Sequence, residues 1–267
     1  MDITAIIPTF NGMEMLDECI KGLNIEIVVV DNGSTDGTVE MLLSKYPKIR
    51  IIKNSSNQGF AKAINQGARQ VQSKYLLILN NDCIVEKNAI LKMLSYVKKP
   101  KSFVATQPIV YSNDHIENIG YQVDTWVGKV NIVTQYHSQL SIFNSQIERY
   151  IYGLSATCLL IRRDIFLKVG MFDESFHSYL EDVDFFIRLS KKGYNYGPTL
   201  DASCRHIHMA TSSKMGLYKQ KQDLKNWVRI IIKNFPPNHI VKHFPSLFFE
   251  RLRNLNGLLK AAIIRHI

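Results

Sequence analysis

Residues 27–38 read Ile27-Val28-Val29-Val30-Asp31-Asn32-Gly33-Ser34-Thr35-Asp36-Gly37-Thr38, and they decide the fold. An apolar, β-branched run without polar alternation reads as a strand buried on both faces, as parallel strands in α/β sheets are. It ends abruptly on a carboxylate followed by glycines and hydroxyls. In open α/β sheets, ligands sit beyond the carboxyl ends of parallel strands, and small residues there let backbone amides approach them. The same grammar returns where Tyr75-Leu76-Leu77-Ile78-Leu79 runs into Asn80-Asn81-Asp82. Two strand ends therefore offer acids to one crevice.

Outward from these runs, residues 3–7, 25–30, 49–53 and 75–79 read as strands, and residues 14–23, 38–45 and 61–72 carry helical spacing. Strand–helix alternation of this kind predicts a parallel, nucleotide-binding type of sheet. Beyond Pro100, strands are expected at 103–106, 155–161 and 202–208, with a helix at 183–191. From residue 217 the chain is mostly helical, with breaks expected at Pro236-Pro237 and at Pro245. Phe248, Leu252, Leu255, Leu259 and Ala262 fall at helical spacing there, with Arg251, Arg253, Lys260 and Arg265 among them. Such a stripe either packs on its own domain or lies on a membrane surface.

With 267 residues, 46% of them hydrophobic and 21% charged, the chain can bury a sizeable core. One main domain with an appendage is expected. Asp2 follows Met1, and the apolar run at 3–7 is too short for a signal peptide. No run approaches the roughly 18 apolar residues that cross a bilayer, so a cytoplasmic location is expected. Cys19, Cys83, Cys158 and Cys204 are scattered without a C-x-x-C pair, which argues for free core thiols and against a zinc ribbon or disulfide framework. The net charge of +10 could serve nucleic acid, anionic lipid or a phosphate-bearing substrate. The excess belongs largely to the tail and not to the crevice: from Lys214 onward, only Asp223 and Glu250 oppose a long series of cations.

Five segments carry chemistry. Pro8-Thr9-Phe10-Asn11-Gly12 ends the first strand in a turn and, with Asp31, makes a cradle for a base and ribose. Asn57-Gln58-Gly59 leads into a helix that contains Asn65, and Gly59 permits close backbone approach at a helix start suited to anions. Asn80-Asn81-Asp82 supplies hard oxygen ligands that suit Mg2+ or Mn2+, although an Asx turn closing the strand has the same residues. Glu181, Asp182 and Asp184 crowd a helix start, where an acid also serves simply as a cap. Finally, His206 and His208 lie two apart on one strand face, a candidate metal pair.

In this order and together, the five motifs Ile6-Ile-Pro-Thr-Phe-Asn-Gly12, Val29-Val-Asp31-Asn-Gly-Ser-Thr-Asp-Gly-Thr38, Asn57-Gln-Gly-Phe-Ala61 with Asn65, Leu79-Asn-Asn-Asp82, and Glu181-Asp-Val-Asp184 with Arg188 are highly specific. Over roughly residues 1–213 the chain resembles the inverting family 2 glycosyltransferases, of the bacterial rhamnosyltransferase and polysaccharide-assembly kind. The resemblance implies the GT-A fold: α/β, with a Rossmann-like, mostly parallel central sheet flanked by helices, and here a C-terminal helical tail. It implies a nucleotide-sugar half over 1–100 and an acceptor and catalytic half over 101–213; beyond it, the residues themselves give a basic amphipathic tail over 214–267. Pro8, Thr9, Phe10, Asn11, Asp31, Asn57, Gly59, Asn65, Asn81 and Asp82 would surround the donor, with Thr9, Phe10 and Asp31 on the nucleoside. Asp82 would hold the divalent ion, Mg2+ or Mn2+, on the donor diphosphate. Asp182 would be the base, Glu181 would fix the helix start or bind acceptor hydroxyls, and Arg188 would orient the acids.

Two departures stand out. Asn80 replaces the aspartate that often opens the family's D-x-D-like element, so metal binding would lean on His208. The Q-x-x-R-W signature of processive synthases is matched only loosely at 222–227, so repeated addition is not expected. The expected reaction is one inverting displacement from a UDP- or dTDP-linked sugar to a glycan or lipid-linked acceptor, at the inner face of the plasma membrane, without nucleic acid. A metal-dependent phosphohydrolase would need a second acid two residues after Asp31, where Gly33 stands. A nucleic-acid-binding module would interleave cations and aromatics on one surface, whereas the cations here concentrate in the tail beside Leu and Ile.

Overall fold

The computed structural model describes residues 1–98, 103–135, 149–207 and 216–264. The apolar runs of the first half form β1 (Ile3–Thr9), β2 (Glu26–Asp31), β3 (Arg50–Lys53) and β4 (Tyr75–Leu79), connected by α1 (Met13–Lys21), α2 (Thr38–Lys45) and α3 (Phe60–Gln70). Next come β5 (Cys83–Val85), α4 (Ala89–Lys98), β6 (Ala105–Ser112), β7 (His115–Asn118), β8 (Tyr121–Asp124), β9 (Lys129–Ile132), β10 (Tyr150–Gly153) and β11 (Cys158–Arg162). The chain continues through α5 (Arg163–Val169), α6 (Glu181–Lys191), β12 (Tyr196–His206), α7 (Gly216–Asn234) and α8 (Pro237–Ile264).

The main sheet has the order β3-β2-β1-β4-β11-β6-β12-β5, with β7 on β6. β1 runs parallel to β2 and β4, β2 to β3, and β6 to β12, while β11 is antiparallel to both β4 and β6. Hence β1–β4, β6 and β12 share one direction, and the sheet is mostly parallel. Its two faces are covered separately. Val28 and Val30 join the core of α3, α6 and α7 with Ile64, Phe185 and Trp227, whereas Ile27 and Val29 join the opposite core with Leu16, Leu42 and Met93. Double coverage explains the continuous apolar run. All four cysteines are buried and free.

A small antiparallel sheet, β10-β8-β9, lies apart from the main one. The tail is no mere appendage. Trp227, Ile230 and Ile231 of α7, and Leu247 of α8, are buried in the first core. The break expected at Pro236-Pro237 is present, with Pro237 starting α8, where a missing N–H costs little. The break expected at Pro245 is not: α8 runs through it. Proline frees the carbonyl four residues back, and Val241 is exposed to water, which can satisfy it.

One side of α8 docks on the β8–β9 turn. His239 Nε2 is 2.9 Å from the Thr125 carbonyl, and the His243 ring stacks 4.8 Å from that of Trp126. Arg251 donates to the Gly128 carbonyl and lies 5.0 Å from the Trp227 ring. The other side carries Phe244, Phe248, Leu252, Leu255 and Leu259, all exposed.

Candidate active site

The register of β1 and β2 sets Thr9 beside Asp31 at the crevice. Asp31 is buried, and its carboxylate accepts from the N–H groups of Gly33 and Ser34 at 3.2 Å each. Its own turn therefore aims it, and its oxygens keep capacity for further donors. Asn11 laces the first two loops together: its Oδ1 accepts from Thr35 N–H at 2.8 Å, and its own N–H donates to Ser34 Oγ at 2.9 Å. Phe10 stands exposed at the rim after Pro8 and Thr9. From β4, Asn81 Nδ2 reaches Thr9 Oγ1 at 3.1 Å. Pro8, Thr9, Phe10, Asn11, Asp31 and Asn81 thus meet at one edge of the sheet.

Two residues expected at the donor also tie α3 to a neighbouring loop. Gly59 has φ of 84°, and a β-carbon there would collide with the carbonyl and ring of His177. The N–H groups of Phe60 and Ala61 are taken by Ser178 Oγ and by the His177 carbonyl at 3.3 and 3.1 Å. The close approach that glycine permits is therefore that of a neighbouring loop, and the start of α3 is already capped. Asn57 Oδ1 accepts from Gly59 N–H at 2.9 Å and shapes that entry. Asn65 is buried, with Nδ2 on the Phe172 carbonyl at 2.8 Å and Oδ1 on the Phe172 N–H at 3.2 Å. Its amide is fully engaged as a tie between α3 and that loop.

Asp82 follows β4, and its carbonyl accepts from Ile207 N–H at 2.8 Å, which brings the end of β12 alongside. His206 Nε2 lies 3.1 Å from Asp82 Oδ1, and His206 Nδ1 lies 3.0 Å from Glu117 Oε2. Burial opposes the imidazolium, but the bonds to Asp82 and Glu117 outweigh it and push His206 up to about 10. One ligand atom each from Asp82, Cys83 and His206 lies within 4.8 Å of the others. His208, the expected ligand, lies outside the described residues; the imidazole described against Asp82 is that of His206.

α6 opens with Glu181, Asp182 and Asp184 in its first turn. Asp182 Oδ2 accepts from Ala156 N–H at 3.2 Å. The next residue, Thr157, accepts from Asn80 N–H at 2.9 Å through its carbonyl. Residues 156–157 therefore tie Asp182 to the strand end that carries Asp82. Burial pushes Asp182 up to about 6. It raises Glu181 well above the usual range, reinforced by the charge of Asp182. The buried Tyr121 hydroxyl is likewise raised, by burial and then by Asp182.

Asp184 belongs to the frame. It is wholly buried, with Arg188 Nε at 2.8 Å, Lys233 Nζ at 3.0 Å and Asn234 Nδ2 at 2.8 Å. Arg188 also donates to the carbonyls of Val169 and Met171 at 2.7 Å each. It thus fixes Asp184, one of the acids it was expected to orient, together with the end of α5; among the described residues no bond from it to Asp182 is found.

Residues 4–170 match the family described as Glycosyl transferase family 2, and the chain belongs to it. It is 28% identical over 193 residues to the N-acetylglucosaminyl-diphospho-decaprenol L-rhamnosyltransferase of Mycobacterium tuberculosis, covering 64% of this chain and 62% of that protein. It is 24% identical over 266 residues to the poly-beta-1,6-N-acetyl-D-glucosamine synthase of Staphylococcus aureus, covering 94% of this chain and 61% of that one. The chain thus spans about three fifths of the length of these curated relatives.

Among solved structures, it resembles the mannosyltransferase PcManGT from Pyrobaculum calidifontis in complex with GDP-Man and Mn2+, with a TM-score of 0.63 at 15% identity over 98% of this chain and 75% of that one. It also resembles GalNAc-T7 with UDP, GalNAc and Mn2+, with a TM-score of 0.65 at 17% identity over 86% of this chain and 47% of that one. These likenesses identify the fold as GT-A.

Proposed function

We propose that this protein transfers a sugar, with inversion, from a UDP- or dTDP-linked donor to a hydroxyl of a glycan or lipid-linked acceptor in surface-polysaccharide assembly. The observation that carries the reading is Asp182, a half-buried carboxylate held by Ala156 N–H and tied through Thr157 to the Asp82 strand end. In this reading Asp182 takes the proton of the attacking acceptor hydroxyl. The new bond forms at the anomeric carbon as the bond to the diphosphate breaks on the opposite side, and one such displacement inverts the centre. Thr9, Phe10, Asn11 and Asp31 hold the nucleoside.

The carboxylate of Asp82 and, once its proton is displaced, the imidazole of His206 fit Mn2+ or Mg2+, and Asp82 and His206 would hold the ion; His208 is kept as a further candidate. Cys83 is too soft a donor for either ion. When bound, the ion supplies positive charge that offsets the departing diphosphate. Incubation of the purified protein with UDP- and dTDP-sugars and a polyprenyl-diphosphate-linked acceptor, read by NMR, tests the proposal. An inverted glycoside is expected; retention, or phosphate release without transfer, would overturn it.

Relatives that act on polyprenyl-linked substrates, together with the exposed apolar side of α8, support peripheral attachment to the inner face of the plasma membrane. Among the described residues no helix is long and apolar enough to cross a membrane. Lys242, Arg253 and Lys260 accompany the apolar side, and each cation near an anionic surface contributes about 1 kcal/mol. The triple variant Phe244→Ser, Phe248→Ser, Leu252→Ser is expected to stop sedimenting with anionic liposomes while keeping wild-type Tm and donor binding. Unchanged sedimentation would remove α8 from the membrane.

A further inference from the structure

Left-handed backbone is concentrated immediately before Asp182. His177, Tyr179 and Leu180 have φ of 62°, 69° and 66°, values that residues with a β-carbon rarely adopt. His177, with ψ of −70°, sits at the centre of a γ-turn closed by a 2.7 Å bond from Ser178 N–H to the Phe176 carbonyl. That form of γ-turn is rare and strained. Leu180, also left-handed, is the last residue before α6. Strain of this kind persists only where the surroundings over-determine the path, and it gathers at functional sites.

The surroundings here come chiefly from one side chain. Asn226, on α7, is completely buried. Its Nδ2 donates to the carbonyls of Phe176, Ser178 and Tyr179 at 3.1, 3.0 and 2.7 Å. One amide thus gathers three carbonyls of a four-residue turn onto one side. Its Oδ1 accepts from Arg229 Nη1 at 3.0 Å, which fixes the orientation of the amide. The start of α3 grips the opposite side of the turn through Ala61 N–H on the His177 carbonyl. Carbonyls drawn together in this way repel one another unless a donor lies between them, so the turn and the amide require each other.

We propose that Asn226 is a positioning residue: it holds the 176–180 turn in its left-handed path and so fixes the direction in which Asp182 leaves the start of α6. The proposal rests on the reading of Asp182 as the base. It makes α7 part of the catalytic machinery, although α7 lies beyond the 4–170 segment that matches the family.

The test uses the full chain with Asn226→Ala and Asn226→Gln. In the alanine variant kcat is expected to fall about 100-fold, the scale of a roughly 1 Å misplacement, with donor KM within about twofold. The acidic limb of its kcat–pH profile should move below about 6, as water reaches Asp182. Amide hydrogen exchange should accelerate at residues 178–184 and stay unchanged in β1–β4. Asn226→Gln, which keeps the donor, should recover part of the kcat. If the alanine variant does not fold, Asn226→Ser carries the same readouts.

A kcat within about twofold of wild type with an unmoved acidic limb overturns the proposal. So does faster exchange spread evenly over the sheet, which would make Asn226 merely a stabilising residue. If Asp182→Asn retains activity, the base lies elsewhere, and that failure is recognised separately because the exchange at 178–184 still reports on the clamp.

Discussion

Asp182→Asn is expected to lower turnover roughly 100- to 10,000-fold with donor affinity intact, the usual scale for loss of a general base. The introduced amide oxygen can still accept from Ala156 N–H, so the helix start keeps its place, but no atom remains to take the acceptor proton. The residues proposed to hold the donor, Thr9, Asp31 and Asn81, belong to β1, β2 and the end of β4 and bond to one another or to their own turns. Calorimetry with the nucleoside diphosphate should therefore match wild type. Glu181 is the competing base, and its surroundings argue against it. Its carboxyl is buried, is raised well above the usual range, and has one oxygen without a hydrogen-bond partner among the described residues. Burial and the neighbouring charge of Asp182 both favour the protonated form of Glu181, which suits it less to take a proton than Asp182, at about 6. Near-normal turnover in the variant would nevertheless transfer the role to Glu181.

The same displacement of Asp182 sets two pH dependences. Activity should decline as pH falls through about 6, where the base becomes protonated. Stability should move the opposite way. A carboxyl whose pKa is higher in the folded chain than in the unfolded one favours the fold while protonated, and that contribution is lost as pH rises through about 6. The amide introduced by Asp182→Asn carries no charge to desolvate, so the variant's Tm should exceed that of wild type at pH 7.5, with the gap closing toward pH 5. A gap independent of pH would show that Asp182 is not desolvated in the fold.

Much of this arrangement was legible in the sequence because burial on both faces leaves a local trace. β1, β2 and β4 are continuous apolar runs since Val28 and Val30 face one core and Ile27 and Val29 the other, and Asp31, Asp82 and Asp182 were legible because each sits where such a run or a helix begins or ends. β7 and β9 left no trace: they are short, and much of each is exposed. α4 did carry a signal, with Ala89, Met93, Leu94 and Val97 at helical spacing, and reading it would have completed the layer over β6 and β12. Glu117 and Asn226 could not be found this way. Glu117 meets His206 across 89 positions and Asn226 meets Tyr179 across 47, and no periodicity encodes such pairs. Gly59 and Asn65 show the converse: their motif is local, but what it accommodates is the 172–178 loop, which lies far along the chain.

Removal of divalent cations is expected to abolish transfer, and Mn2+ or Mg2+ to restore it. Asp82 is the only carboxylate of Asn80-Asn81-Asp82, so Asp82→Asn should leave no detectable transfer at any metal concentration while Tm stays near wild type. His206 is placed to serve as the proposed second ligand: Glu117 takes His206 Nδ1, which leaves Nε2 directed at Asp82. A carboxylate behind a ligating imidazole fixes its orientation and raises its basicity, and losing such a partner costs about 10- to 100-fold in metal affinity. Glu117→Gln should therefore raise the Mn2+ concentration for half-maximal activity by that factor, and Mn2+ titration followed by electron paramagnetic resonance should show the same shift without substrate present. Full activity in a metal-stripped sample would strike Asp82, His206 and His208 from the ligands together. Charge on the departing diphosphate would then have to be met by basic side chains. Lys62, in the first turn of α3, donates to Gln58 Oε1 at 2.9 Å, and Lys62→Ala would be a variant to separate that outcome from metal dependence.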